Sequence, residues 1–186
     1  GNSTAAFREY KAAADLGHPQ ASTCVGYAYL MGDGVGVDIE QGVRYIKQAA
    51  DKGCFEGLFN LGLCHADGVC MPVNPPEAIR FINQSASFNQ PDALFTMAHF
   101  YQSGYGGIPI DESRAAKLLI KVVDRYIHPA SELRLGEYFL FGIGVPKDES
   151  MGVRLIAAAA TYGLEQAEYL LGLCLLGGIG QDSTTN

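Results

Sequence analysis

A short motif recurs five times along the chain at a spacing near 36 residues, and this period restricts the fold more than any other feature. In each copy an apolar residue precedes a small one, and a glycine stands six residues after the small residue. The pairs are Val25-Gly26, Leu61-Gly62, Met97-Ala98, Leu135-Gly136 and Leu171-Gly172, and the glycines are Gly32, Gly68, Gly104, Gly142 and Gly178. Such a period predicts a repeat architecture in which each copy is one supersecondary unit.

Each copy predicts a first helix that packs closely against a neighbour. A second small residue stands five positions before the first one, at Ala21, Gly57, Ala93, Ser131 and Ala167. Small residues on one helical face let another helix approach. Tyr29, Tyr101 and Phe139 follow on the same stripe, while His65 and Leu175 take that place in the second and fifth copies. The recurring glycine then ends the helix.

A second helix follows in each full copy. Asp38, Asn74, Asp111 and Asp148 close the turn after the glycine, and their side chains are suited to accept hydrogen bonds from the free backbone N–H groups of a helix start. Gly53, Asn89 and Gly163 stand where a left-handed residue ends a helix, whereas Tyr126 breaks this rule in the third copy. The pattern therefore predicts two helices per repeat, joined by a tight turn.

One helix pair is too small to bury its own apolar face, so the pairs must stack. We predict an all-α fold, a right-handed α-solenoid superhelix of stacked antiparallel helix pairs. Residues 1–186 are expected to form a single repeat domain, with full repeats at 18–53, 54–90, 91–127 and 128–164 and partial repeats at 4–17 and 165–182. Because both ends fall inside a repeat, we expect a section of a longer repeat protein.

With these residues the chain resembles the Sel1-like repeat family, a relative of the tetratricopeptide repeat. The family's run of Ala, Leu-Gly, aromatic, Gly-x-Gly-Val, Asp and Lys-Ala-Ala-like segments is matched most closely by residues 20–53 and 129–163. The second copy departs from it at Gly68-Val69-Cys70-Met71-Pro72, and the third at Gly104-Tyr105-Gly106-Gly107-Ile108-Pro109. The resemblance implies a non-catalytic adaptor or scaffold, although the fold does not select a partner.

Charge and cysteine usage exclude several classes of function. The net charge is −7 with no basic run, which argues against nucleic acid and anionic membranes as partners. No apolar stretch reaches the roughly 20 residues of a membrane-spanning helix, so direct membrane insertion is not expected. The five cysteines lack CxxC spacing, which predicts neither a disulfide framework nor a metal site and favours a reducing compartment. An envelope, secreted or endoplasmic reticulum location stays open if a signal was removed upstream.

Candidate catalytic groups have structural interpretations in the repeat. The glycine-rich run at 32–36 follows a helix, not a strand, and recurs in each copy, which favours a turn over a nucleotide loop. His18 and His128 both precede a proline and are predicted helix-entry residues, while His65 is predicted to pack in place of an aromatic ring. Cys64 and Cys174 share one repeat position and suit tight packing better than catalysis. No enzyme activity and no cofactor are predicted.

The predicted site follows from the repeat register. In the related tetratricopeptide arrangement the first helices build the inner, concave wall. Carrying that register over gives Gln20, Thr23 and Tyr27; Glu56, Phe59 and Leu63; Asp92, Phe95, His99 and Gln102; Leu133 and Glu137; and Gln166 and Tyr169. Such a mixture of aromatic and acidic side chains suits an extended or helical protein segment with apolar and basic side chains.

Three other interpretations remain open at this point. Several of the wall aromatics could pack between adjacent repeats instead of binding a partner. The chain could be a structural element that continues a larger solenoid, or forms a homodimer, through the uncovered helix that includes Leu170. An enzyme or a carbohydrate-binding protein is favoured only if a pocket with convergent polar groups exists.

Overall fold

The computed structural model describes residues 2–68 and 70–180, and within these ranges the chain contains ten α-helices, a short 3₁₀ turn at Tyr105–Gly107 and no strand. The helices are α1 (Asn2–Asp15), α2 (Pro19–Met31), α3 (Ile39–Asp51), α4 (Phe55–Asp67), α5 (Pro75–Ser87), α6 (Pro91–Ser103), α7 (Glu112–Val123), α8 (Pro129–Phe141), α9 (Glu149–Ala160) and α10 (Glu165–Leu176). The all-α fold of helix pairs is therefore confirmed. Val69 and the end of the last partial repeat, 181–182, lie outside the described residues.

The described helices fall into two compact units that divide between Ala93 and Leu94. In the first unit α2 packs on α3 and α4 packs on α5, while α1 precedes them and packs on α2. In the second unit α8 packs on α9, with α7 before this pair and α10 after it. The predicted boundaries of the repeats and the single-domain arrangement stay predictions.

The predicted caps of the second helices are confirmed. A side-chain oxygen of Asp38, Asn74, Asp111 and Asp148 accepts from the backbone N–H three residues later, at N···O distances of 3.0, 3.3, 2.8 and 2.9 Å in that order. Each bond satisfies a backbone donor that has no partner within the helix. The sequence therefore fixes where four of the helices begin.

The two histidines before prolines are helix caps. Nδ1 of His18 accepts from the backbone N–H of Ala21 at 3.4 Å, and Nδ1 of His128 accepts from that of Ser131 at 3.1 Å. The proline that follows each histidine occupies the first turn of the helix, where a missing N–H costs nothing. Their predicted role as helix-entry residues is confirmed.

Glycine ends four of the first helices at the predicted places, with Gly32, Gly68, Gly104 and Gly142 in the left-handed region. In α10 the cap is Gly177, one residue before the predicted Gly178. Asn89 has a φ of 62° and is the one non-glycine residue in the left-handed region among those described, as its repeat position predicts.

The small residues allow the two helices of a pair to touch. A Cβ at Gly26 would lie 2.7 Å from Cγ1 of Ile46 and 2.9 Å from the carbonyl oxygen of Gly42. The equivalent atoms around Gly136 lie at the same distances, 2.7 Å from Ile156 and 2.9 Å from the Gly152 oxygen. Side-chain and backbone atoms thus fill the space that any larger residue would need.

Among the described residues, buried apolar side chains form clusters within each unit. In the first unit these are Ala14, Ala21, Val25 and Tyr45, and Ile46, Ala50, Leu58, Leu61 and Cys64. In the second unit they are Ala98, Ala115, Ala116, Leu119, Leu135 and Tyr138, and Leu133, Leu140, Ile156, Ala159, Ala167 and Cys174. The predicted packing roles of Cys64 and Cys174 are confirmed, since both side chains are buried in these cores.

Candidate interaction surface

The first unit contains a cavity of about 850 Å³ between α1, α2, α4 and the start of α6. Five of the predicted wall residues meet there: Thr23, Tyr27, Glu56, Phe59 and Asp92. They come from three successive first helices, and the repeat register is the reason that they share one side. We name this cavity the α1–α4 cleft.

Helical spacing places the side chains of the cleft. Thr23 and Tyr27 are one turn apart on α2, and Glu56 and Phe59 are three residues apart on α4, so each pair shares a face. The Tyr27 side chain is 52% exposed and offers aromatic surface to a partner. Thr23 is buried, and its hydroxyl donates a hydrogen bond to the Pro19 carbonyl at 3.3 Å. Only a small part of this side chain therefore borders the cleft.

The cleft is acidic. Its lining includes the carboxylates of Glu9, Asp33, Glu56 and Asp92 and, among the described residues that line it, no lysine or arginine. Oε2 of Glu56 accepts from the Cys54 thiol at 2.9 Å, and the Gln90 amide donates to Asp92 at 2.9 Å. These bonds orient two of the carboxylates, and the excess of negative charge favours a cationic partner.

The thiols beside the cleft are unsuited to nucleophilic chemistry. Burial raises the pKa of the Cys24 thiol, and the nearby carboxylate of Glu56 raises it further. Burial also raises the pKa of Cys54, and the hydrogen bond that its thiol donates to Glu56 adds to the shift. A nucleophilic cysteine needs a lowered pKa, so both thiols stay protonated and uncharged at neutral pH.

Helix α1 contributes cleft residues that the register did not predict. Phe7, Glu9 and Tyr10 line the cleft from α1, and Asp33 lines it from the loop after α2. The sequence of residues 6–17 matches the second helix of a repeat, and this match is what predicted α1. Tyr10 stands 36 residues before Ile46, at a position that is apolar in every full repeat and therefore expected to be covered.

The second unit contains a smaller cavity of about 250 Å³, which collects Phe95, His99 and Gln102 from α6. Its other lining residues are Ala98, Leu119, Arg134 and Tyr138. The guanidinium of Arg134 pairs with the predicted wall residue Glu137 at 3.2 Å. The charged side chain that lines this cavity is therefore basic, whereas those that line the α1–α4 cleft are all acidic. His99 is exposed, as the register predicts for a groove residue.

The remaining predicted residues lie elsewhere. Gln20, Gln166 and Tyr169 are exposed and Leu63 is half-buried, and none of them lines either cavity. The placement of Leu133 on the open wall is wrong, because this side chain is 7% exposed and packs in a core cluster with Ala167 of α10. Leu133 sits at the contact between successive first helices, which removes its surface from solvent.

The other predicted roles can also be placed. His65 stacks on the Phe81 ring at a centroid distance of 5.8 Å, which confirms that it packs in place of an aromatic. Among residues 2–68 and 70–180, no group of three His, Cys, Asp or Glu side chains is arranged to hold a metal ion. Within the same ranges, every helix is too short or too polar to cross a bilayer.

Comparison with known proteins agrees with the helical repeat fold. The family model of the Sel1 repeat matches residues 21–54, 55–87, 91–122, 129–162 and 165–184. Chitin synthase regulatory factor 2 of Schizosaccharomyces pombe is 28% identical over 148 residues, which are 76% of this chain. The chain spans 29% of the length of that relative.

Two solved structures share the fold. One is the protective antigen c5321 of uropathogenic Escherichia coli, described as displaying an SLR fold, with a TM-score of 0.80 and 26% identity. The other is a Sel1 repeat protein from Oxalobacter formigenes, with a TM-score of 0.80 and 25% identity. The similarity covers 94% and 92% of this chain, and 37% and 49% of theirs.

Proposed function

The chain belongs to the Sel1 repeat family, and from this we propose that it is a non-catalytic interaction module that holds a segment of a partner protein in the α1–α4 cleft. Sel1 repeat proteins typically mediate protein–protein interaction, and this scaffold family is generally non-catalytic. The proposal adds a location and a partner chemistry to that general role. The partner carries apolar and basic side chains.

One observation carries the proposal: the cleft brings aromatic rings and carboxylates from separate repeats to one concave surface. Tyr27 and Phe59 supply area at a low cost in side-chain entropy, and Glu56 and Asp92 supply orientation. A volume of about 850 Å³ accommodates several side chains of a protein segment. The raised pKa values of Cys24 and Cys54 favour binding over catalysis at this place.

The fission-yeast relative supports the same kind of role. It is named chitin synthase regulatory factor 2. An adaptor that regulates an enzyme needs a binding surface and no chemistry of its own.

A peptide-display selection tests the proposal. We expect peptides selected on the chain to be rich in Lys or Arg and to lose at least 10-fold in affinity for the Tyr27→Ala, Phe59→Ala double variant. The matched control is Phe95→Ala with His99→Ala, which removes the equivalent rings of the second-unit cavity. If the control weakens binding and the first pair does not, the cleft is not the site.

A second candidate function is assembly through α10, and one observation favours it. A Cβ at Gly172 would meet no atom of the described residues within 4 Å, whereas Gly26 and Gly136 each face an isoleucine of the following helix. Leu173 and Leu176 on the same helix are exposed. This face can take a helix of a further repeat or of a second copy. A monodisperse monomer in a solution mass measurement would contradict the homodimer form.

A further inference from the structure

The turn after α4 departs from a rule that three other copies of the repeat follow. In those copies the residue two positions after the capping glycine is a second left-handed glycine, at Gly34, Gly144 and Gly180. A Cβ there would lie closer than 3.0 Å to a backbone oxygen at the start of the preceding second helix, that of Ser3, Glu112 or Glu149. The second copy has Cys70 at this position, and its backbone is outside the left-handed region.

A cavity of about 580 Å³ lies where the other copies bring the turn and the helix into contact. It is lined by Cys70 and by five residues of α3, Ile39, Glu40, Val43, Arg44 and Lys47. Ile39 stands 31 residues before Cys70, as Ser3 stands before Gly34. The replaced glycine therefore puts a thiol into the wall of a cavity.

The charged side chains of this cavity are basic on balance. Arg44 and Lys47 line it together with one carboxylate, that of Glu40. Nε of Arg44 donates to the side-chain oxygen of Gln41 at 3.1 Å, which orients the guanidinium without neutralising it. An excess of positive charge attracts anions. The α1–α4 cleft, which borders the Cys24 thiol, has the opposite charge.

A second thiol is in contact with Cys70. Cys64 is 3% exposed and belongs to the core cluster that includes Ile46, and Cys70 packs against this cluster. Burial raises the pKa of the Cys64 thiol, and a hydrogen bond with the Cys70 side chain raises it further. Because this bond favours the protonated form, Cys64 is the donor and the Cys70 sulfur is the acceptor. The pair thus has one buried thiol and one thiol that faces the cavity.

We propose that Cys70 and Cys64 form a redox pair that an anionic disulfide oxidises from the cavity. The Cys70 thiolate attacks one sulfur of the reagent disulfide, whose S–S bond breaks, and the released thiolate takes up the proton that Cys70 lost. The Cys64 thiolate then attacks the Cys70 sulfur, and a second reagent thiol leaves with the Cys64 proton. Two cysteine thiols are oxidised to one disulfide, and the reagent disulfide is reduced to two thiols.

The surroundings of the two thiols give the order of the steps. Arg44 and Lys47 attract the anionic reagent to Cys70, so the first bond forms there. The raised pKa of Cys64 makes the second step the slower one, and a mixed disulfide at Cys70 precedes the Cys64–Cys70 bond. Among the described residues, the linings of this cavity and of the α1–α4 cleft have no member in common, so the pair does not depend on the proposed function.

Two aliphatic disulfides of opposite charge test the first step. Dithiodipropionate carries two carboxylates and cystamine carries two ammonium groups, and mass mapping of acid-quenched samples gives the rate of modification of each cysteine at pH 8. Cys24 is the internal control, because it is exposed and lines an acidic cleft. The ratio of the dithiodipropionate rate to the cystamine rate should be about 10-fold higher at Cys70 than at Cys24. Equal ratios at the two cysteines would overturn the proposal.

A charge variant locates the effect in α3. Arg44→Gln with Lys47→Gln should lower the rate ratio at Cys70 about 5-fold, because both basic groups of the cavity are removed. The matched control is Lys117→Gln with Lys121→Gln, which removes the same charge from α7, where Lys117 has the repeat position of Arg44. Circular dichroism checks that the helices stay intact. An equal effect of both variants would contradict guidance by the cavity.

The disulfide itself is tested by mass mapping without reductant. The unchanged chain treated with dithiodipropionate should lose two hydrogens in the peptide that contains Cys64 and Cys70, and dithiothreitol should restore them. Cys64→Ser should stop at the mixed disulfide, and Cys70→Ser should leave Cys64 unmodified. Cys174 has the repeat position of Cys64, is equally buried and has Gly180 in place of Cys70, so it should stay reduced. A mixed disulfide that persists in the unchanged chain at pH 9 would overturn the pair.

Discussion

The two units of the chain have the same helix packing and different cavities. The contacts of Gly26 with Ile46 and of Gly136 with Ile156 agree in distance, so one rule builds both cores. The cavities next to those cores differ in volume, about 850 against 250 Å³, and in charge, since the first is lined by four carboxylates and the second contains Arg134. The repeat therefore determines the scaffold and leaves the wall positions free to specialise.

The first prediction concerns the shared packing and has the largest expected effect. Gly26→Ala and Gly136→Ala should each destabilise the fold by about 1–3 kcal/mol, because the added methyl group meets side-chain and backbone atoms closer than 3.0 Å. Urea unfolding followed by circular dichroism measures both. Unequal losses in the two units would break the claim that one packing rule serves both.

Gly172→Ala is the matched control for these two variants. Its methyl group would enter open space, so the gain in helix propensity should stabilise α10 by about 0.5–1 kcal/mol. A destabilisation as large as that of Gly26→Ala would show that another helix or chain already covers this face.

The second prediction concerns the difference between the cavities. The Tyr27→Ala, Phe59→Ala pair should weaken partner binding by at least 10-fold, and Phe95→Ala with His99→Ala by less than 2-fold, roughly the contrast between a hot spot and its surroundings. Isothermal titration with a displayed peptide measures both variants. Similar losses from both pairs would mean that the binding wall extends across the two cavities.

The third prediction concerns charge and has a smaller effect. Glu9→Gln with Asp33→Asn should weaken binding of a displayed basic peptide roughly 3- to 5-fold and reduce its salt dependence, because two carboxylates of the cleft are neutralised. Titrations between 50 and 400 mM salt, over which the Debye length falls from about 14 to about 5 Å, measure both effects. Glu165→Gln on α10 serves as the control. An unchanged salt slope would contradict an electrostatic contribution from the cleft.

The fourth prediction concerns pH and is the smallest. Burial lowers the pKa of His65, so the fold favours its neutral form over the protonated one. The corresponding stability is fully present above the unfolded pKa of about 6.5 and is lost as the pH falls below it. Tyr101 and Phe139 occupy the same repeat position in the second unit.

The variant His65→Phe tests this prediction. Its free energy of unfolding should fall less between pH 7.5 and 5 than that of the unchanged chain, as measured by urea titration at each pH. An equal fall in both proteins would assign the acid sensitivity to other groups.

The sequence was sufficient for the scaffold because the scaffold depends on local rules. A cap such as Asp38 bonds to an N–H three residues away, and Gly26 meets Ile46 within one repeat, so periodicity alone predicts both. The exposure of most predicted wall residues depends on contacts with other repeats. Leu133 and Thr23 stand at the same repeat position, and both are buried because the next first helix lies against them.

The role of α1 shows the same limit. The repeat register predicted the first-helix residues Tyr27 and Phe59 in the cleft. Glu9 and Tyr10, however, come from α1, which matches a second helix. In the other second helices the corresponding apolar face is covered. Whether such a face is open depends on which helices surround it, and this is a property of the three-dimensional arrangement. The acidity of the cleft likewise depends on residues brought together from four segments.

Alkylation of Cys24 tests most directly whether a partner occupies the α1–α4 cleft. Cys24 lines the cleft and is exposed, whereas Cys70 lies outside it and serves as an internal control. With iodoacetamide at pH 9, chosen because partial desolvation raises the Cys24 pKa, peptide mass mapping gives both alkylation rates. Saturation with a displayed basic peptide should slow the alkylation of Cys24 at least 10-fold and leave that of Cys70 unchanged. An unchanged Cys24 rate in the saturated complex would contradict binding in the cleft.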